Sequence, residues 1–218
     1  MKLTDFLLVG TILMSIPILL VSIKYRIHVF KGVLIALTMT LVGTIGTYVM
    51  FYIENKAYGG LSFYGAVFLI PLAFPLVALI LRISYCEIMD MCAVGECVML
   101  AMMKVHCIMS DCCKGREIFV AANGVGVIFP SRLIEMITAL AIFILLIRWV
   151  SKGQHKGELY SWYLIFYGST RFILNMGRQE WVVRRTFLPI GNIWSVIAVF
   201  IGFICLQVAR KQKIKIME

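Results

Sequence analysis

Charge is what this sequence has least of. Of 218 residues only 15% are Asp, Glu, Lys or Arg and 61% are hydrophobic, against about 25% and 45–50% in ordinary soluble domains. The mean hydropathy is +0.94. No stretch is polar enough to form a soluble domain, no low-complexity linker divides the chain, and no internal repeat is detectable. A soluble enzyme and a solenoid are therefore excluded, and no nucleic-acid partner is expected. No C-x-x-C occurs, and the seven cysteines are odd in number, so a disulfide framework cannot use them all. His106-Cys107-x4-Cys112-Cys113 lacks the separated pairs of common zinc sites, so no metal or other cofactor is expected.

What the chain does have is apolar length. A bilayer-crossing helix needs about 17–25 residues, and such runs occur at Phe6–Ile23, Val33–Ile53, Leu61–Leu81, Leu133–Val150, Leu159–Leu174 and Phe187–Ala209. A seventh, Tyr85–Met103, carries Glu87, Asp90 and Glu96, which are expected to face protein or the interface. The first run lacks a small-x-small cleavage site and outlasts a signal-peptide core, so it reads as a retained helix. The expectation is an all-α membrane protein of about seven transmembrane helices, one polytopic domain over residues 1–218, with an irregular outer loop region over roughly Lys104–Pro130. The glycines and β-branched residues of "CCKGREIFVAANGVGVIFP" suggest loop or short strands there.

The basic segments "IKYRIHVFK", "VSKGQHKGE" and "ARKQKIKIME" mark the cytoplasmic face. The C-terminus is then cytoplasmic and the N-terminus outside. The outer side nevertheless keeps many cations, gathered in Lys104–Arg132 and Arg171–Arg185. Arg171 lies inside the apolar run "YLIFYGSTRFIL", where a guanidinium is costly and marks a site. The aromatic set Trp162, Tyr163, Tyr167, Trp181 and Trp194 is expected in the core and interfacial belt.

In order along the chain come "GGLSFYG", "KVHCIMSDCCKG", "FPSRLIE", "YGSTRFILNMGRQE" and "IGNIWS". Their order and spacing, over about Gly59–Ser195, resemble the successive motifs of the prolipoprotein diacylglyceryl transferase family. The resemblance implies transfer of a diacylglyceryl group from phosphatidylglycerol to the lipobox cysteine thiol of an exported prolipoprotein, with glycerol phosphate leaving, at a bacterial cytoplasmic membrane. Phosphatidylglycerol, the lipobox-bearing signal peptide and the bilayer are the partners it implies. It implies catalytic roles for Tyr64, Lys104 and Arg171, and substrate-binding roles for Gly60, Ser62, Gly65, Cys107, Gly115, Glu135, Asn175, Arg178 and Asn192. Displacement by sulfur needs a thiolate, and the departing phosphate needs cations already in place.

Three positions depart from the family pattern. Tyr64 stands where histidine is common, Lys104 where arginine is usual, and Asn175, one helical turn after Arg171, where an acid is common. Lysine loses the bidentate fork that grips phosphate. Glu135 is expected to pair with a nearby arginine. Asp111-Cys112-Cys113 resembles a "GCC" branch of the family, which makes these cysteines loop-packing residues. For Gly59, Gly60 and Gly65 two readings stand: close helix packing, or backbone N–H groups approaching a lipid phosphate. The alternative functions are a lipid-binding relative with another acceptor or without turnover, and a membrane thiol-disulfide oxidoreductase using Cys107, Cys112 and Cys113.

Overall fold

The structure is a computed structural model that describes residues 3–56, 60–112, 115–120, 126–177 and 190–217. Its elements run α1 (Leu3–Lys24), α2 (Val29–Asn55), α3 (Tyr64–Leu81), α4 (Tyr85–Met109), β1 (Glu117–Val120), β2 (Gly126–Ile128), α5 (Ser131–Ser151), α6 (Leu159–Asn175) and α7 (Ile190–Met217). In hydrocarbon every backbone N–H and C=O must be satisfied within its own segment, so apolar runs of this length become helices. Among the described residues six helices are long and apolar enough to cross a bilayer. The seventh, α6, has 17 residues, the lower limit for a span.

The outer surface confirms the solvent. Leu8, Ile12, Ile16 and Leu20 on α1, Leu37, Leu41 and Ile45 on α2, and Leu133, Ile137 and Ile144 on α5 are all exposed. They recur at helical spacing on the side opposite the buried Met14, Ile18 and Val21, or Ile142 and Leu146. A helix apolar all round is a lipid-facing helix. The chain is an all-α, multi-pass membrane protein.

Several boundaries differ from the expected ones. α4 continues to Met109, which places Lys104, His106 and Cys107 on its last turns instead of in a loop. α3 begins at Tyr64, leaving Leu61–Phe63 ahead of it, and α7 carries the basic tail on as helix to Met217. Backbone hydrogen bonding does not stop where the apolar run ends. The expected loop holds an antiparallel β1–β2 hairpin, irregular between Glu117 and Phe119, that docks on the end of α6 through Arg116 N–H to Gly177 O at 2.9 Å.

Proline chemistry shows how the interior is closed. Pro71 and Pro75 within α3 lack N–H groups, which strips Val67 and Pro71 of their usual acceptor-side partners four residues on. Two tyrosines replace them: Tyr160 Oη donates to Val67 O at 2.7 Å, and Tyr85 Oη donates to Pro71 O at 2.9 Å. α4 and α6 form the centre, with Met91, Cys92, Val94, Tyr163 and Leu164 almost fully buried. As expected, the acids of α4 face protein. Asp90 accepts from Tyr25 Oη at 2.7 Å, from Gly157 N–H and from Leu159 N–H at 2.9 Å, so a carboxyl on one helix caps the N-terminus of another. Burial and that carboxyl push the Tyr25 phenol above its ordinary value, which keeps it a donor. Glu87 pairs with Lys156 at 2.7 Å.

Contacts at the two ends fix the alternation of the helices. Phe6 meets His106 edge-on at 4.9 Å, joining the start of α1 to the end of α4. At the other end Lys24 Nζ donates to Ser151 O at 3.3 Å and Arg210 lies near Glu158. The start of α1 and the last turns of α7 therefore lie at opposite ends.

Candidate functional site

A cavity of about 550 Å³ opens at the end where α1 begins. Leu7, Met39, Ile70, Met99, Leu100 and Met103 make its apolar part, while Glu54, Asn55, Ser62, Lys104, Arg171 and Asn175 make its polar part. An amphipathic cavity in a membrane protein fits a molecule with a charged head and apolar chains.

Three helices bring three charges together at this wall. Lys104 Nζ on α4 and Arg171 Nη1 on α6 both bond to Glu135 Oε2 on α5. The side chains are 9%, 12% and 5% exposed. Two cations that close in a low dielectric repel strongly unless a carboxylate lies between them. With Glu135 in place the cluster keeps one net positive charge. Lys104 and Arg171 both line the cavity, so the cluster offers positive charge to an anion there.

Tyr64 stands beside the cluster, its ring centroid 6.0 Å from the Arg171 guanidinium carbon. Its hydroxyl lies 2.9 Å from Gly191 O and 2.6 Å from Ser195 Oγ. Ser195 Oγ is itself 2.9 Å from Gly191 O. The two hydroxyls thus share one carbonyl on the first turn of α7 and tie α3 to it.

Of the residues singled out from the sequence, Gly60, Ser62, Tyr64, Lys104, Cys107, Arg171 and Asn175 line the cavity. Glu135 reaches the site through the two cations. Gly65 is a packing residue by its surroundings: a Cβ there would strike the Gly46 carbonyl where α3 crosses α2. A Cβ on Gly60 would meet the Phe51 ring, and one on Gly115 the Phe129 carbonyl. Asn192 is fully buried, and its side-chain N and O have no partner among the described residues. Gly59, Cys113, Arg178, Trp181, Arg184 and Arg185 lie outside the described residues.

Sequence reasoning missed Glu54 and Arg132. Glu54 Oε1 accepts from Ser62 Oγ at 3.0 Å on the cavity wall, at a position that reads as the end of a span. Arg132 Nη1 donates to Cys107 O at 3.1 Å and to Cys112 O and Asp111 Oδ1 at 3.2 Å, clamping the C-terminal end of α4. Its position in "FPSRLIE", three residues before Glu135, was the available signal.

Residues 6–208 match the family described as prolipoprotein diacylglyceryl transferase. The chain belongs to that family. It is 24% identical over 134 residues to a protein of Clostridium perfringens (strain 13 / Type A) named phosphatidylglycerol–prolipoprotein diacylglyceryl transferase 2, an overlap of 56% of this chain and 51% of that protein. The aligned part thus spans about half the length of the curated relative. The family match includes Leu7 and Ser195, so it takes in the whole cavity wall described above. Asn175 is an uncharged amide on the cavity wall, and Glu135 supplies the carboxylate that Lys104 and Arg171 both reach.

Proposed function

We propose that the protein transfers the diacylglyceryl group of phosphatidylglycerol to the cysteine thiol of a prolipoprotein lipobox. The observation that carries this reading is the Lys104–Glu135–Arg171 cluster in the wall of an amphipathic cavity. The lipid phosphate sits against the net positive charge, and the acyl chains follow the apolar wall past Met99 and Met103. The thiol sulfur forms a C–S bond to the glycerol carbon of the donor while the C–O bond to phosphate breaks. The electron pair leaves with glycerol phosphate, and the thiol proton ends on that phosphate, so the exchange balances without a further reactant.

Arg171 and Lys104 stabilise the charge gathering on the leaving group, in a site whose donors are oriented beforehand. Glu135 holds both cations in position. Tyr64 acts through Gly191 and Ser195, fixing the first turn of α7 beside Asn175. The basic segments near Lys24, Lys152 and Arg210 lie at the end opposite the cavity, so the cavity faces outward, the N-terminus is outside and the C-terminus is cytoplasmic in a bacterial inner membrane.

The test is reconstitution. Purified protein with phosphatidylglycerol and a lipobox peptide should release glycerol phosphate in step with the peptide's gain of a diacylglyceryl mass. Release without peptide modification would point to another acceptor, and neither signal would leave a lipid-binding protein.

A further inference from the structure

The apolar side chains that line the cavity from α1 and α4 are Leu7, Met99, Leu100 and Met103. None of the four is β-branched or aromatic, the types whose stiff side chains hold a surface to one shape. Met99 lies five residues before Lys104, about 8 Å deeper along the axis of α4. A lipid whose phosphate rests at Lys104 and Arg171 has its acyl chains at that depth.

The far end of Met99 is seated on a glycine. It reaches from α4 to α1, where a methyl added to Gly10 would lie 2.9 Å from its Sδ and 3.4 Å from its Cε. Leu7, three residues before Gly10 on the same helix, lines the cavity too, so this seat borders it. Met39 repeats the arrangement from α2 to α4: a methyl on Gly95 would lie 3.1 Å from both its Sδ and its Cε, and Met39 also lines the cavity. A glycine beneath a thioether leaves no Cβ to wedge the end of the side chain into one rotamer. Methionine is unbranched, polarizable and turns about three bonds, and surfaces that accept many ligand shapes are built from it.

We infer that Met99 is a specificity-determining residue of the acyl-chain wall: its thioether end, resting on Gly10, yields to the chain beside it, so that the cavity takes straight and methyl-branched chains alike. This rests on the proposed lipid-donor role of the cavity. Filling the seat should remove the tolerance. In Gly10→Ala the new methyl drives the thioether away from α1 and into the cavity, where it takes the room that a branch on the acyl chain needs.

The test is competition binding, read apart from transfer. Full-length protein in detergent is given equal amounts of straight-chain phosphatidylglycerol and a deuterium-labelled, methyl-branched one of the same carbon number, and the retained lipid is measured by native mass spectrometry. The parent should retain the two in a ratio near one. Gly10→Ala should favour the straight chain about fourfold, the worth of one methyl-sized group, and adding Met99→Ala should restore the even ratio. A Gly10→Ala protein that melts lower but keeps the even ratio would make Gly10 a helix-packing glycine and overturn the inference. So would a preference that Met99→Ala does not relieve, or a parent that already discriminates. Should Gly10→Ala fail to insert, Met99→Ile carries the test: its stiff, β-branched chain should bring the same preference, and an even ratio there overturns the inference. Loss of transfer with both lipids while this pattern stands would sink the transferase reading and leave this one intact; transfer without the pattern would do the reverse.

Discussion

The hydroxyls of Tyr64 and Ser195 lie 2.6 Å apart, one on α3 and the other on α7, and both reach the carbonyl of Gly191. A phenol engaged this way positions a helix. Tyr64→Phe and Ser195→Ala should each lower turnover by less than about tenfold, and the double variant should do little worse, since both act on one contact. A fall of about 10²-fold in Tyr64→Phe alone, the scale of a lost acid–base group, would give the phenol a direct role. Steady-state kinetics on the three variants decides.

Removing a cation and removing the carboxylate should have opposite signatures. Arg171→Ala leaves a neutral Lys104–Glu135 pair, so the variant should insert and fold while transfer is lost. Glu135→Gln leaves two buried cations facing each other and should cost about 3–5 kcal/mol of stability. Thermal unfolding in detergent beside the transfer assay separates the two outcomes.

Lys104→Arg should be tolerated and should tighten phosphatidylglycerol binding, since the guanidinium can bond Glu135 and a phosphate oxygen together. Lipid titration with parent and variant checks this, and weaker binding in the variant would count against a phosphate at Lys104.

Gly65→Ala tests the packing reading of the glycine motif. The added methyl has nowhere to go but into the Gly46 backbone, and overpacking of this kind costs about 1–3 kcal/mol or more. The melting temperature should drop, and the KM for lipid should stay near the parent's value in the folded fraction.

Replacing Cys112 and Cys113 together by Ser should leave measurable transfer, because the attacking sulfur belongs to the substrate. Complete loss in a well-folded variant would favour a thiol relay instead. Among the described residues Cys86, Cys92, Cys97, Cys112 and Cys205 are free thiols.

The helices were legible in the sequence because each is a continuous apolar run, and hydrocarbon permits such a run little but a helix. Their ends were not. Lys104 and Cys107 read as loop because hydropathy falls before α4 stops. The cations were legible as residues out of place: Arg171 in an apolar run needs a reason wherever it sits. That Glu135 would serve Lys104 and Arg171 together depends on how three helices converge, which no single segment encodes. The roles of Pro71 and Pro75 were hidden for the same reason, since their compensating tyrosines come from α6 and α4. Glu96 was visible as an intramembrane acid, but its partner Tyr160 comes from α6 and could not be read from α4 alone.

The cluster also divides a debt of charge among three segments that are made in succession. Alone, α4 brings Lys104, α5 brings Glu135 and α6 brings Arg171, and each would enter lipid with an unbalanced ion at the same depth. The Lys104–Glu135 pair of α4 and α5 is neutral by itself, so α6 would find its counter-ion only on packing against those two helices. A ribosome-stalling series that arrests the chain at successive lengths should therefore find α6 fully integrated when α4 and α5 are present, and slipping back to the aqueous side when Glu135 is removed.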